Sequence, residues 1–215
     1  MIFVDKKCIE ICIPKTGTVS RYAMINSWPP TEETRSKISE ESNHGWLDSP
    51  NCPHSQSSYN FFTHGHFTYR QLQNVGYGLS YSDFFTFSFV RNPYDRFASM
   101  YNSASGHFSW SQTRSDVSLE VAMKLSLGEY QSNFGKQIEF LQDKEGNIAV
   151  DFVWKMENYE KDYNILREHV PLLPKYDKKY RMNKSKCRHF QYTDQIKELV
   201  YEAFKDDFIK LGYEK

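Results

Sequence analysis

The hydrophobic pattern opens with a near-continuous apolar run, "CIEICI" from Cys8 to Ile13, which predicts a short buried strand. Pro14 stops the run. The turn Pro14 to Gly17 then leads into "TVSRYAMINSW", which predicts a helix ending before Pro29 and Pro30. Residues 31–58 are polar without a sustained period, and predict a long, mobile excursion with some helix near 32–41. "YNFFTHGHFTY", residues 59–69, reads as a strand broken at Gly65. The clearest buried strand is "FFTFSFV", residues 84–90. It runs directly into "RNPYDRFASMYNS", where Pro93 suits the first turn of a helix. Further helices are predicted at 117–127, 133–142 and 158–169, a strand at 149–156, a basic loop at 171–188, and a closing amphipathic helix at 193–211. Strands alternating with helices predict an α/β fold: a central parallel sheet flanked by helices.

Composition narrows this picture. A length of 215 residues predicts one domain spanning 1–215, large enough for a full core. With 27 basic and 27 acidic residues the formal charge is zero, which argues against a general nucleic-acid or anionic-membrane binder. Fifteen Tyr, 16 Phe and 4 Trp argue for a packed globule rather than a disordered chain. No stretch approaches the roughly 20 apolar residues that span a bilayer, and "MIFVDKKCIEICI" is too short and too charged for a signal peptide. Cys8, Cys12, Cys52 and Cys187 form no CxxC pair and read as free thiols in a reducing compartment. The expectation is a cytoplasmic protein, or a Golgi-lumen enzyme only if the sequence is a trimmed piece.

The candidate chemistry begins at Pro14–Ser20. Strand, tight turn and helix together aim unpaired amides and the positive helix end at an anion. Gly17 lets backbone pass close to a ligand; Thr16, Thr18 and Ser20 supply hydroxyls, and Lys15 a full charge. The Walker pattern is absent, because the lysine precedes the single glycine, and this disfavours a nucleoside-triphosphate kinase. A Thr-capped helix with a solvated lysine explains this stretch equally well. A second constellation tips the balance. Arg91 ends a predicted strand, where ligands of open α/β sheets bind, and Ser99 follows in the next helix. Against this, Arg91 and Arg96 could simply pair with acids such as Asp95. Two anion-ready strand ends suggest a ligand with two anionic groups.

"PKTGTVS" and "RNPYDRFASMY", in this order and about 75 residues apart, resemble the two cofactor loops of sulfotransferases that use 3′-phosphoadenosine 5′-phosphosulfate (PAPS). The match is to the carbohydrate branch, including heparan sulfate 2-O-type enzymes. The closing "VYEAFKDDFIKLGY" is similar to the helix that ends many members, with its acidic-Phe pair and Gly-Tyr. The resemblance implies a P-loop-like cofactor site in which Pro14, Lys15, Thr16, Gly17, Thr18, Val19 and Ser20 form the 5′-phosphosulfate loop. Arg91 and Ser99 would hold the 3′-phosphate. Val19 stands where a second threonine is common, and Arg21 where an apolar residue is usual.

Sulfuryl transfer to a hydroxyl needs a proton acceptor and positive charge at the leaving oxygen. Lys15 suits the second role. His64 and His66 lie two apart in a segment read as extended, on one side of the chain, and neutral imidazole suits the first. "HGH" also resembles a catalytic segment of the 2-O-type enzymes, which implies His66 as base and His64 as a supporting residue. A structural pair, or a zinc-binding HxH lacking a recognisable third ligand, remains open. The resemblance further implies that Asn183, Lys184 and Ser185 close over the nucleotide, with Lys186 and Arg188 as lesser candidates; a solvated basic loop explains them as well. The expected activity is metal-independent transfer of a sulfuryl group from PAPS to a hydroxyl acceptor, with a saccharide as the favoured class. Aromatic Phe108 and Trp110 could line its cleft, as they could a core. An atypical kinase and a non-catalytic nucleotide-binding module are the alternatives.

Overall fold

The computed structural model describes residues 1–27, 61–62, 66–74, 82–101, 135–181 and 192–215. The excursion at 31–58, the helix expected at 117–127, His64, Phe108, Trp110, Asn183, Lys184, Ser185, Lys186 and Arg188 lie outside the described residues. The strands are β1 (Ile2–Phe3), β2 (Cys8–Ile11), β3 (Phe61–Phe62), β4 (Phe85–Val90) and β5 (Phe152–Lys155), ordered β3-β1-β2-β4-β5 in one sheet. The described helices are α1 (Thr18–Ile25), α2 (Tyr69–Asn74), α3 (Pro93–Tyr101), α4 (Gln137–Leu141), α5 (Tyr159–His169), α6 (Asp194–Ala203) and α7 (Lys205–Lys210). The result is an α/β sheet flanked by helices.

The sheet is mixed, which corrects the expectation of a parallel one. β2, β4 and β5 run parallel, but β1 is antiparallel to both β2 and β3. The cause is local. A single 3-10 turn at Val4–Lys6, followed by Lys7 at φ 51, folds β1 directly back onto β2. A connection that short permits only antiparallel pairing.

Alternation along β2 and β4 divides the core between the two faces of the sheet. Cys8 and Cys12, with Phe87 and Phe89, pack under α1 and α5 against Tyr22, Met24, Tyr163 and Leu166. Ile9, Ile11, Ile13 and Val90 face the other way, against Ile138, Phe140 and Leu141. Both faces are covered, which explains why β2 reads as an apolar run rather than as an alternating one. Glu10 breaks the run yet is wholly buried. A third cluster joins Phe97 and Met100 of α3 to Val200, Phe204 and Phe208.

Two further expectations change. Of the strand read at 59–69, only Phe61–Phe62 is strand among the described residues, and Tyr69 begins α2. Thr68 and Gln71 start that helix with a reciprocal box: Thr68 Oγ1 accepts from the Gln71 amide at 3.2 Å, and Gln71 Oε1 from the Thr68 amide at 2.8 Å. The closing helix is two helices, broken at Phe204 (φ −114, ψ 24). Thr193 caps the first by accepting from the Ile196 amide at 3.2 Å. No helix among the described residues is long and apolar enough to cross a membrane.

Candidate functional site

Parallel pairing of Ile11 with Ser88 and of Val90 with Lys155 sets the carboxyl ends of β2, β4 and β5 side by side. Three connections therefore meet at one edge: the turn 12–17, the Arg91-Asn92 step, and Met156-Glu157. This is the side of an open α/β sheet where ligands bind.

The turn after β2 is held in an unusual way. Five consecutive carbonyls, Cys12 to Thr16, each accept a hydrogen bond from a side chain. Cys12 O is held by His66 Nδ1 at 2.9 Å. Ile13 O accepts from Thr16 Oγ1 at 2.8 Å and Thr18 Oγ1 at 3.4 Å. Pro14 O accepts from Arg96 Nε at 3.1 Å, and Lys15 O from Arg91 Nη1 at 3.4 Å. Thr16 O accepts from Arg21 Nη1. In a trans peptide the N–H points opposite its carbonyl, and the described backbone has no cis bond. The amides of Lys15, Thr16 and Gly17 are thereby turned away from the side chains that hold the carbonyls. Gly17 is the N-cap of α1 and supplies no side-chain cap, so the first-turn amides of α1 have no carbonyl of their own helix to bond to.

The backbone needed for this shape is costly. Lys15 sits at φ 69 and Gly17 at φ 80. Non-glycine residues at positive φ are uncommon and concentrate at ligand clamps and active sites. At Gly17 the positive φ rather than space favours glycine, since a Cβ there would meet Met156 Cε at 2.8 Å, the movable end of a flexible side chain.

Beneath the turn lies an ion pair. Arg21, wholly buried, donates to Glu10 Oε1 from Nε at 2.8 Å and from Nη2 at 2.5 Å, and its guanidinium covers the Phe89 ring at 4.3 Å. Desolvation works against the Arg21 charge, but the Glu10 carboxylate, with smaller help from Tyr159 and Cys12, outweighs it and holds the guanidinium pKa above its ordinary value. Arg21, the departure noted in the sequence, is therefore matched by the equally unusual buried Glu10. Each compensates the other.

Around the β4 end the anchoring differs. Gln137 grips the Arg91 backbone on both sides, its Oε1 accepting from the Arg91 amide at 2.9 Å and its Nε2 donating to Arg91 O at 2.8 Å. Asp207 fixes the start of α4 in turn, accepting from the Gln137 and Ile138 amides at 2.8 and 2.9 Å. Burial raises the Asp207 pKa against the opposing pull of Arg96 and those amides. Asn92 caps α3 through the Tyr94 amide at 2.9 Å, and Glu157 holds the Asn92 amide at 2.6 Å and the Tyr213 hydroxyl at 3.1 Å.

The structure thus brings Pro14, Lys15, Thr16, Gly17, Arg91 and His66 to one place. Thr16 is buried with its hydroxyl committed to Ile13, and the Thr18 hydroxyl leans the same way. Val19 packs against the core, and Ser20 is half-buried on α1. Ser99 is half-buried on α3, eight residues beyond Arg91. His66 keeps some exposure, while burial of its ring pushes the pKa down to about 4; the Cys12 hydrogen bond opposes this, and the Arg96 and Lys15 charges reinforce it. Its imidazole is neutral near pH 7. Because a carbonyl only accepts, Nδ1 carries the hydrogen and Nε2 keeps its lone pair. Among the described residues no cluster of three or more His, Cys, Asp or Glu could hold a metal ion.

Sequence reasoning missed Arg96, Glu10, Gln137 and Asp207. Glu10 alone left a signal, as a charge inside an apolar strand. Comparison with protein-family models, with curated proteins and with solved structures finds no match to this chain.

Proposed function

We propose that this chain is a PAPS-dependent sulfotransferase acting on a hydroxyl acceptor of the saccharide class, with a P-loop-like anion site at the turn 14–20. The observation that carries the reading is the engagement of five successive turn carbonyls by side chains, three of them arginines, which leaves the amides of residues 15–17 turned to the opposite side of the turn. The described residues fit an anionic nucleotide on a further count: Arg96, buried beside the turn, has one guanidinium nitrogen, Nη2, without a hydrogen-bond partner.

When bound, PAPS supplies the activated sulfuryl group. Lys15, with the amides of residues 15–20, is assigned to its 5′ end, and Arg91, assisted by Ser99, to the 3′-phosphate. Asn183, Lys184 and Ser185 are assigned to the nucleotide's outer side. His66 takes the acceptor proton at Nε2, its ring oriented by Cys12 O, with His64 in support. Burial is the main reason this base, with a pKa near 4, is weak; an anion on the turn offsets the smaller part of the depression that comes from the Arg96 and Lys15 charges. The Lys15 ammonium counters negative charge developing on the departing nucleotide.

Calorimetric titration with 3′-phosphoadenosine 5′-phosphate, without metal, tests the site. Micromolar binding, about −8 kcal/mol, is expected for wild type, with loss on Arg91→Ala. Absence of binding to wild type, or indifference to Arg91, rejects the reading. For the chemistry, His66→Ala is expected to bind the nucleotide normally and lose turnover; near-normal turnover removes His66 from the role of base.

A further inference from the structure

Arg96 is a residue for which the paired-loop reading has no use, yet it is among the most constrained side chains in the molecule. It is 1 % exposed. Nε donates to Pro14 O at 3.1 Å and Nη1 to Gly135 O at 3.0 Å, while Nη2 is buried with no hydrogen-bond partner. Among the described residues no carboxylate forms an ion pair with it. Asp207 and Glu139 act on it only through their more distant charges, and burial draws its pKa down to about 10, so it stays cationic at neutral pH. Both of its hydrogen-bonded partners are neutral carbonyls.

A buried guanidinium without a counter-ion is expensive, and the fold contains the remedy it withholds. Arg21, equally buried and on the neighbouring face of the same turn, has its own carboxylate in Glu10. The two arginines hold adjacent parts of one turn, but only one is neutralised. The asymmetry is intelligible if the missing negative charge arrives with a ligand. Arg96 grips the carbonyl of Pro14, and the amide of the same peptide belongs to Lys15. Its hold on the backbone therefore fixes the direction of that amide, while its charge lies on the other side of the peptide.

We propose that Arg96 is a positioning residue of the anion site: it fixes the turn through Pro14 and supplies a desolvated, uncompensated positive charge that a bound anion completes. This rests on the reading of the turn as an anion site. With no carboxylate bonded to it, the Arg96 charge is only partly offset by Asp207 and Glu139 and still acts on its neighbours, and His66, on the Cys12 carbonyl of the same turn, is its reporter. The charged groups acting on His66 are Arg96, the terminal amine of Met1 and Lys15.

Two variants separate charge from shape. Arg96→Gln removes the charge; Arg96→Lys keeps it but forfeits the forked grip on Pro14 and Gly135. Each is titrated with 3′-phosphoadenosine 5′-phosphate, and the His66 imidazole is followed by NMR against pH without nucleotide. Arg96→Lys should weaken binding by about tenfold, the worth of one charged hydrogen bond, while His66 titrates as in wild type. Arg96→Gln should weaken binding by about a further tenfold and raise the His66 pKa, a change that loss of packing alone does not produce. Wild-type affinity in either variant, or an unmoved His66 in a folded Arg96→Gln, overturns the proposal. If Arg96→Gln does not fold, Arg96→Lys decides through affinity. If wild type binds no nucleotide, the proposed function fails, and an unshifted His66 in Arg96→Gln then overturns the role given to Arg96 as well.

Discussion

The connections that leave β2 and β4 stand next to each other and solve the same local problem in opposite ways. Each must end a buried strand and begin a helix. After β4 the main chain is tied up by side chains: Asn92 caps α3, Gln137 closes around the Arg91 backbone, and Glu157 holds the Asn92 amide. Main-chain polarity there is consumed, and what reaches outward is a side chain, Arg91. After β2 nothing local caps the helix. The turn borrows donors from residues as distant as Arg91 and Arg96, all aimed at its carbonyls. What it turns outward is backbone. On the proposed reading one connection offers a ligand a guanidinium and the other offers amides, so they should respond differently to substitution.

The largest expected effect lies under the turn. Arg21→Met strands Glu10 without its partner in the core, and should cost about 3–5 kcal/mol in urea denaturation. Pairing it with Glu10→Leu should recover most of that. A loss below about 1 kcal/mol would mean that the ion pair does not support the turn. Next comes pH. The folded-state pKa of His66 lies near 4, below the ordinary 6.5. As pH falls through 6.5 the unfolded chain takes up the proton first, so this contribution to stability is lost between about pH 6.5 and 4. Allowing for partial exposure, the difference in stability lost over that window between wild type and His66→Gln should be about 2 kcal/mol. Parallel stability curves for the two proteins would contradict it. The smallest effect belongs to the connection after β4. Asn92→Ala removes a cap and should cost about 1 kcal/mol in thermal or urea unfolding, with little change in nucleotide affinity. A large affinity loss would show that the two connections are less distinct than drawn.

Much of the framework is legible in the sequence because it rests on local pattern. β2, β4, β5, α1 and α5 all carry apolar runs or helical periods with clear stops, and Arg91 declares itself by following one of them. β1 is two residues long and has no period to read. α2 carries its own signal, since Thr68-Tyr69-Arg70-Gln71 is a capping box, but the strand-like aromatics before it mask that signal. The break at Phe204 is set by packing, since Phe204 and Phe208 both turn into the cluster with α3. The supports of the site were out of reach for another reason. Arg96, Gln137 and Asp207 act only when brought together from far along the chain, and no spacing announces that.

That distance has a consequence for how the protein comes into being. The contact between Arg91 and Lys15 spans 76 residues, that between Gln137 and Arg91 spans 46, and that between Asp207 and Gln137 spans 70. The last of these needs a residue near the end of the chain. Contacts of such range form late, after shorter loops have closed. A chain still emerging from the ribosome can complete β2 and the turn that follows, but it cannot lock Arg91 in place until α7 has been made. The anion site proposed above is thereby complete only once α7 has packed against α4, and local opening of α7 is expected to loosen its Arg91 arm.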